Sequence, residues 1–174
     1  MKNKNLYMFF LSLIFTGFAF ASEVKVVNLE PKSVFAIQKR GLCYRRVALS
    51  AWGRLAGLFS LFDFRDLPAE KIGRYLDDPT DVSSLVRYEA CVLDNESLPF
   101  GGCSKTIAGG RHLMLTHVGP YEMLPAVYKM LFESAAKLGL SARSTGCFDI
   151  YVKGPSDVGG CLDEMETRCY LPVE

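Results

Sequence analysis

No run of basic residues occurs anywhere in the 174-residue sequence, and its formal charge is only +1. That balance gives no electrostatic footprint for nucleic acid or for an anionic membrane surface. No Cys-x-x-Cys pair and no compact Cys/His cluster is found among the six cysteines and two histidines, which argues against a zinc or dithiol redox site. His112 and His117 stand five apart in a strand pattern, on opposite faces, and cannot share one metal. No apolar run reaches the roughly 20 residues that a spanning helix needs. No cofactor is expected.

The N-terminus carries Lys2 and Lys4, an apolar stretch from Leu6 to Phe20 broken only by Ser12, Thr16 and Gly17, and a small-residue end at Ala19-Phe20-Ala21. This is the pattern of a cleavable signal peptide, with cleavage after Ala21, and it predicts a periplasmic or secreted protein with no stable membrane insertion afterwards. The mature chain, residues 22–174, loses two lysines and would carry 18 basic against 19 acidic residues, a net −1. Cys43, Cys91, Cys103, Cys147, Cys161 and Cys169 all lie in it. Export permits disulfides, with the pairing open, and Cys147 and Cys169 are one conceivable pair.

The mature chain reads as one domain in which a unit occurs twice. Residues Val24 to Lys39 read as one bent or two short strands around Pro31, stopped at Gly41. A helix follows from Tyr44, its apolar residues at Val47, Ala48, Ala51, Trp52, Leu55, Leu58, Phe59 and Phe62. Then "KIGRYLDDP" and "VRYEACVL" read as strands. After Gly-rich turns, "RHLMLTHV" is a strand, a helical face runs through Leu124, Tyr128, Leu131, Phe132 and Ala135, and "CFDIYVKGP" and "METRCYLPV" are two more strands. Gly41 matches Gly119 and Cys91 matches Cys169 at a spacing of 78, while Tyr75 matches Tyr151 and Pro79 matches Pro155 at 76.

Neither strand-helix-strand-strand unit buries its own faces. The fold class is therefore α+β: two pseudo-twofold-related repeats, about 24–95 and 103–173, forming a mainly antiparallel sheet with both main helices on one face and a pocket between the halves. The corner Gly119-Pro120-Tyr121-Glu122 is explained by turn chemistry: a glycine free to take positive φ, a proline before the helix, and an acid at the positive end of the helix dipole.

Alternation places Cys147, Asp149 and Tyr151 on one strand face. Tyr151 has a counterpart in Tyr75, whereas Asp149 aligns with Gly73, so the acid breaks the symmetry as a site for an asymmetric ligand would. An inward carboxylate needs a partner or a proton. Tyr44, Trp52, Tyr75, Tyr121 and Tyr128 are candidates to line a pocket for a flat apolar or cationic compound. Trp52 and Tyr128 lie on the buried stripes, so at most half of the five are expected to meet ligand. Arg87 and Glu89 share a strand face and are expected to pair.

The ordered motifs "GRYLDDP", "RYEACV", "AGGRHLMLTHVGPYEML", "FDIYVKGP" and "CYLPV" resemble the GyrI-like small-molecule-binding family, the effector-binding domain of gyrase-inhibitory proteins and of many AraC-type and multidrug-sensing regulators. The resemblance spans residues 24 to 173. It implies two pseudo-symmetric halves around an aromatic-lined pocket, with an acid, usually glutamate, two residues before a strand tyrosine. The matching residues here are Asp149 and Tyr151. No helix-turn-helix segment is present, and an exported chain would not meet cytoplasmic gyrase. The expectation is a free-standing binding module for a small hydrophobic or cationic ligand, through Asp149, Tyr151, Tyr75, Tyr121, Trp52 and Tyr44, with any protein partner unspecified. The resemblance also implies two alternatives: a hydrolase of strained cyclopropane-bearing toxins using Asp149 and Tyr151, and, through the similar SOUL fold, haem binding.

Overall fold

The structure is a computed structural model that describes residues 23–61, 70–81, 85–94, 104–143 and 146–174. The expected signal peptide, Phe62 and Cys103 lie outside these residues.

Among the described residues eight strands form one sheet: β1 (Lys25–Leu29), β2 (Lys32–Leu42), β3 (Lys71–Tyr75), β4 (Leu85–Leu93), β5 (Ser104–Ile107), β6 (Gly110–Val118), β7 (Phe148–Lys153) and β8 (Glu166–Pro172). Two helices join them, α1 (Tyr44–Leu61) and α2 (Leu124–Lys137), the second entered through a short 3-10 turn at Tyr121–Met123. The strand order is β1-β6-β8-β7-β3-β4-β2-β5. Every pairing among the described strands is antiparallel. The fold is the expected α+β arrangement. Three strands of each expected unit stay together, β2-β4-β3 on one side and β6-β8-β7 on the other, meeting at the β3–β7 pair, whereas β1 pairs with β6 and β5 with β2.

Connectivity bends this sheet. Only Glu30 and Pro31 join β1 to β2, and only Ala108 and Gly109 join β5 to β6, yet both links connect opposite ends of the strand order. The sheet must curl until its edges meet, and the two links cross there. A Cβ on Gly109 would lie 2.5 Å from the Leu29 carbonyl oxygen and 2.7 Å from the Pro31 nitrogen, so the crossing admits only glycine.

Curling makes two cores. The enclosed face gathers Val34, Ala36, Ile72, Cys91, Ile107, Phe148 and Tyr170 with no helix over it. The outer face carries both helices. Along α1, Val47, Ala51, Leu55 and Phe59 repeat every fourth residue and are buried; along α2 the buried residues are Leu124, Val127, Tyr128, Leu131 and Ala135. They pack on Val86, Tyr88, Ala90, Val92, Leu113, Leu115 and Leu171. A fully buried side chain such as Leu131 contributes about 2 kcal/mol of transfer free energy.

Several expectations change. β5 was not predicted: its "SKTI" is four residues long and lies between Gly-rich segments. β2 runs through Gly41 to Leu42, and the left-handed residue at that corner is Cys43, φ 70°, whereas Gly119, φ 134°, fills the role before α2. The cysteine correspondence is off by one. Gly73 faces Ala90 and Asp149 faces Cys169, so the position matching Cys169 is Ala90, and Cys91 points to the opposite face. No disulfide forms among the five described cysteines, Cys43, Cys91, Cys147, Cys161 and Cys169. Arg87 pairs with Asp77 at the β3–β4 turn, while Glu89, 1% exposed, pairs with Arg74 at 3.3 Å and with Lys105. His112 and His117 do take opposite faces: His112 packs its ring on Phe148 in the enclosed core, and His117 Nε2 approaches the Pro120 carbonyl at 3.1 Å.

Candidate functional site

The helices leave a gap over the middle of the sheet. α1 rests on β2 and β4, and α2 rests on β6 and β8, so the central pair β3–β7 forms a floor that neither helix covers. Above it lies a cavity of about 880 Å³, a volume suited to a drug-sized molecule. Tyr44, Ala48 and Trp52 come from α1 and its start, Tyr121, Leu124 and Tyr128 from the second corner and α2, Tyr75 and Tyr151 from the floor, and Tyr88 from the adjoining β4. All five aromatics proposed from sequence border the cavity, as does Tyr151. Pro79 and Pro155 do as well, and Arg45 and Glu122 form an exposed ion pair at its rim, 3.4 Å apart.

The rings interlock edge to face. Tyr75 meets Tyr44, Tyr88 and Tyr128 with centroids 5.0, 5.5 and 5.3 Å apart, and Tyr151 meets Trp52 and Tyr121 at 5.7 and 5.2 Å. This edge-to-face geometry contributes about 0.5–1.5 kcal/mol per pair beyond burial.

Asp149 faces the same way but lies beneath the rings, fully buried. The Tyr75 hydroxyl donates to its Oδ2 at 2.6 Å, the Tyr128 hydroxyl donates to Oδ1 at 2.8 Å, and the Cys169 thiol adds a third bond. Burial outweighs these donors and pushes the Asp149 carboxyl up from its ordinary 3.8 to about 6. Among the described residues no basic side chain forms an ion pair with it. Near neutral pH the floor therefore holds a negative charge with hydrogen bonds but no counter-cation.

Asp149 and Tyr151, paired in the sequence reading, do not bond to each other. Tyr151 shares a 2.8 Å hydrogen bond with Tyr88, and Trp52 Nε1 donates to the Tyr88 hydroxyl at 3.1 Å. Gly73 makes room for this pair: a Cβ there would lie 2.1 Å from the Tyr88 hydroxyl and 2.5 Å from that of Tyr151. Sequence reasoning missed Tyr88. The signal was its alternation with Arg87 and Glu89, which sends it to the helix-covered face. Desolvation raises the hydroxyl pKa of Tyr75, Tyr88, Tyr128 and Tyr151, so all four stay protonated.

Among the described residues no group of His, Cys, Asp and Glu is placed to hold a metal, and no helix is long and apolar enough to cross a membrane.

Solved structures share the architecture. The C-terminal domain of EcmrR superposes with a TM-score of 0.68 at 16% identity, covering 88% of this chain and 98% of that domain. In the EcmrR–DNA complex the longer EcmrR chain gives 0.71 at 13% identity, and this chain spans 58% of its length. SAV2435 bound to tetraphenylphosphonium gives 0.62 at 14%, covering 87% of this chain and 94% of that one. A hydrolase from Listeria innocua gives 0.53 at 12%, covering 87% and 92%. At these identities the likeness is one of fold. Comparison with curated protein sequences gave no match. Residues 22–174 match the GyrI-like small molecule binding domain end to end, and the chain belongs to that family.

Proposed function

We propose that this chain is an exported binding module that holds a hydrophobic, cation-bearing aromatic molecule in the cavity between α1 and α2. The observation that carries the reading is Asp149: a buried carboxylate, hydrogen-bonded yet without a basic partner, beneath a space walled by aromatic rings. An organic cation above Tyr75 and Tyr128 supplies the missing positive charge through the ring faces and through the field of the carboxylate below them. The complex of SAV2435 with tetraphenylphosphonium supports this chemistry for the fold. Export rests on the leader-like first 21 residues.

Hydrolysis of a strained substrate would require Asp149 to meet water. Both of its oxygens are held by tyrosines, so Tyr75 or Tyr128 would first have to swing away. Binding needs no such step.

The test is titration of the mature chain with tetraphenylphosphonium, followed by calorimetry and by the fluorescence of Trp52, the single tryptophan. Saturable binding that weakens about tenfold in Asp149→Asn supports the assignment. Binding of equal strength in the variant removes the role of the charge, and no binding to the native chain removes the cation reading.

A further inference from the structure

The hydrogens at the far end of the cavity floor do not all find acceptors. Trp52 Nε1, Tyr88 and Tyr151 bring three donor hydrogens to a cluster with two hydrogen bonds. Trp52 N–H uses the Tyr88 oxygen. If Tyr88 then donates to Tyr151, the Tyr151 hydrogen is left over; if Tyr151 donates to Tyr88, the Tyr88 hydrogen is left over. Either way one hydroxyl hydrogen has no acceptor among the described residues, and both tyrosines line the cavity.

The other cavity tyrosines differ. Tyr75 and Tyr128 direct their hydrogens to Asp149, and Tyr44 directs its own to the Asp78 carbonyl at 3.3 Å. Tyr121 is only half-buried, where solvent reaches it. The surplus donor is also fixed in place: Gly73 lies under both hydroxyls, and the Trp52 ring, edge-on to Tyr151, closes one side. A rigid donor without an acceptor, in a mainly aromatic and aliphatic part of the cavity, selects for a molecule that brings one, because leaving it unpaired costs more than a hydrogen bond gains.

We propose that the natural ligand carries a hydrogen-bond acceptor, a carbonyl or equivalent oxygen, that docks on the Tyr88–Tyr151 pair while its aromatic body fills the cavity. This rests on the cavity being the small-molecule site and adds a class of ligand to it. A ligand with both features is bipolar, its cationic end over Tyr75 and Tyr128 and its acceptor end over Gly73.

The experiment compares benzophenone with diphenylmethane, which differ by one carbonyl, by equilibrium dialysis against the mature chain, with tetraphenylphosphonium as a separate probe lacking an acceptor. After correction for partition between water and octanol, the ketone is expected to bind about tenfold more tightly. Tyr88→Phe combined with Tyr151→Phe should abolish that preference, so that the ketone and the hydrocarbon bind with equal corrected affinity. On the native chain alone, the infrared carbonyl band of bound benzophenone should shift to lower frequency than in an alkane, a readout that needs no variant to fold. Equal affinity for benzophenone and diphenylmethane, an unshifted band, or a preference that disappears in Tyr121→Phe instead overturns the proposal, and does so alone if tetraphenylphosphonium still binds. Failure of all three probes to bind overturns the cavity assignment with it.

Discussion

Gly73 and Asp149 face each other across the β3–β7 pair, and the two sides of the cavity floor differ because of what these residues bring. Asp149 supplies a carboxylate that draws in Tyr75 and Tyr128. Gly73 supplies an empty position, over which the Tyr88 and Tyr151 hydroxyls meet. One side of the floor is thereby an acceptor pole and the other a donor pole.

Gly73→Ala should damage the donor pole. The new methyl would overlap two tyrosine oxygens at 2.1 and 2.5 Å, on strands held by ladder hydrogen bonds on both sides. The expected cost is about 1–3 kcal/mol by urea denaturation, typical of overpacking. Trp52 emission should shift, since its N–H partner is displaced.

The Asp149 charge should make stability and binding run in opposite directions with pH. Its carboxyl titrates near 3.8 when unfolded and at about 6 when folded, so the folded chain binds the proton more tightly. Stability from this group is fully present below pH 3.8 and is lost as pH rises through about 6, a change on the order of 3 kcal/mol. Tetraphenylphosphonium affinity should rise over the same interval. Asp149→Asn should flatten both profiles, measured by urea midpoints and calorimetry from pH 4 to pH 8.

Tyr128→Phe removes the donor from Asp149 Oδ1 and leaves that oxygen buried without its partner. A cost of about 1–3 kcal/mol is expected. With one fewer bond to the anion, the carboxyl pKa moves higher, so the midpoint for tetraphenylphosphonium binding should move above pH 6. A midpoint unchanged or lowered would contradict this account of the carboxylate.

Glu89 gives the contrast. It is buried on the enclosed face, between Arg74 and Lys105, away from the cavity. Glu89→Ala should cost on the order of 2 kcal/mol, below the range for a fully buried network because Lys105 is 41% exposed. Tetraphenylphosphonium affinity should stay within twofold, which would separate loss of stability from loss of the site.

Both helices and seven of the eight strands are legible from apolar periodicity, because each has one buried stripe or face. β5 is not: four residues that gain their place by pairing with distant β2 have too short a pattern to show it. At the site, the residue types and the strand face of Asp149 can be read from alternation. Its partners cannot, since Tyr75 is 74 residues away and Tyr128 is 21 away, and only the assembled sheet brings them together. Tyr88 is hidden for a simpler reason. It sits between two charged neighbours, Arg87 and Glu89, whose expected pairing draws the reading to their own face and away from the opposite face to which alternation sends Tyr88. The shared 78-residue spacing of Cys91 and Cys169 misleads because the turns between β3 and β4 and between β7 and β8 differ in length, so one offset does not hold across both units.

The crossing at Gly109 has a consequence for how the molecule assembles. Each unit lends its leading strand to the other, β1 to β6 and β5 to β2, so the halves are buckled through one another. Neither can reach its final hydrogen bonding while its twin is unformed. Thermal melting should therefore proceed as one concerted step, and fusing either unit alone to another protein would leave a frayed border where its borrowed strand belongs.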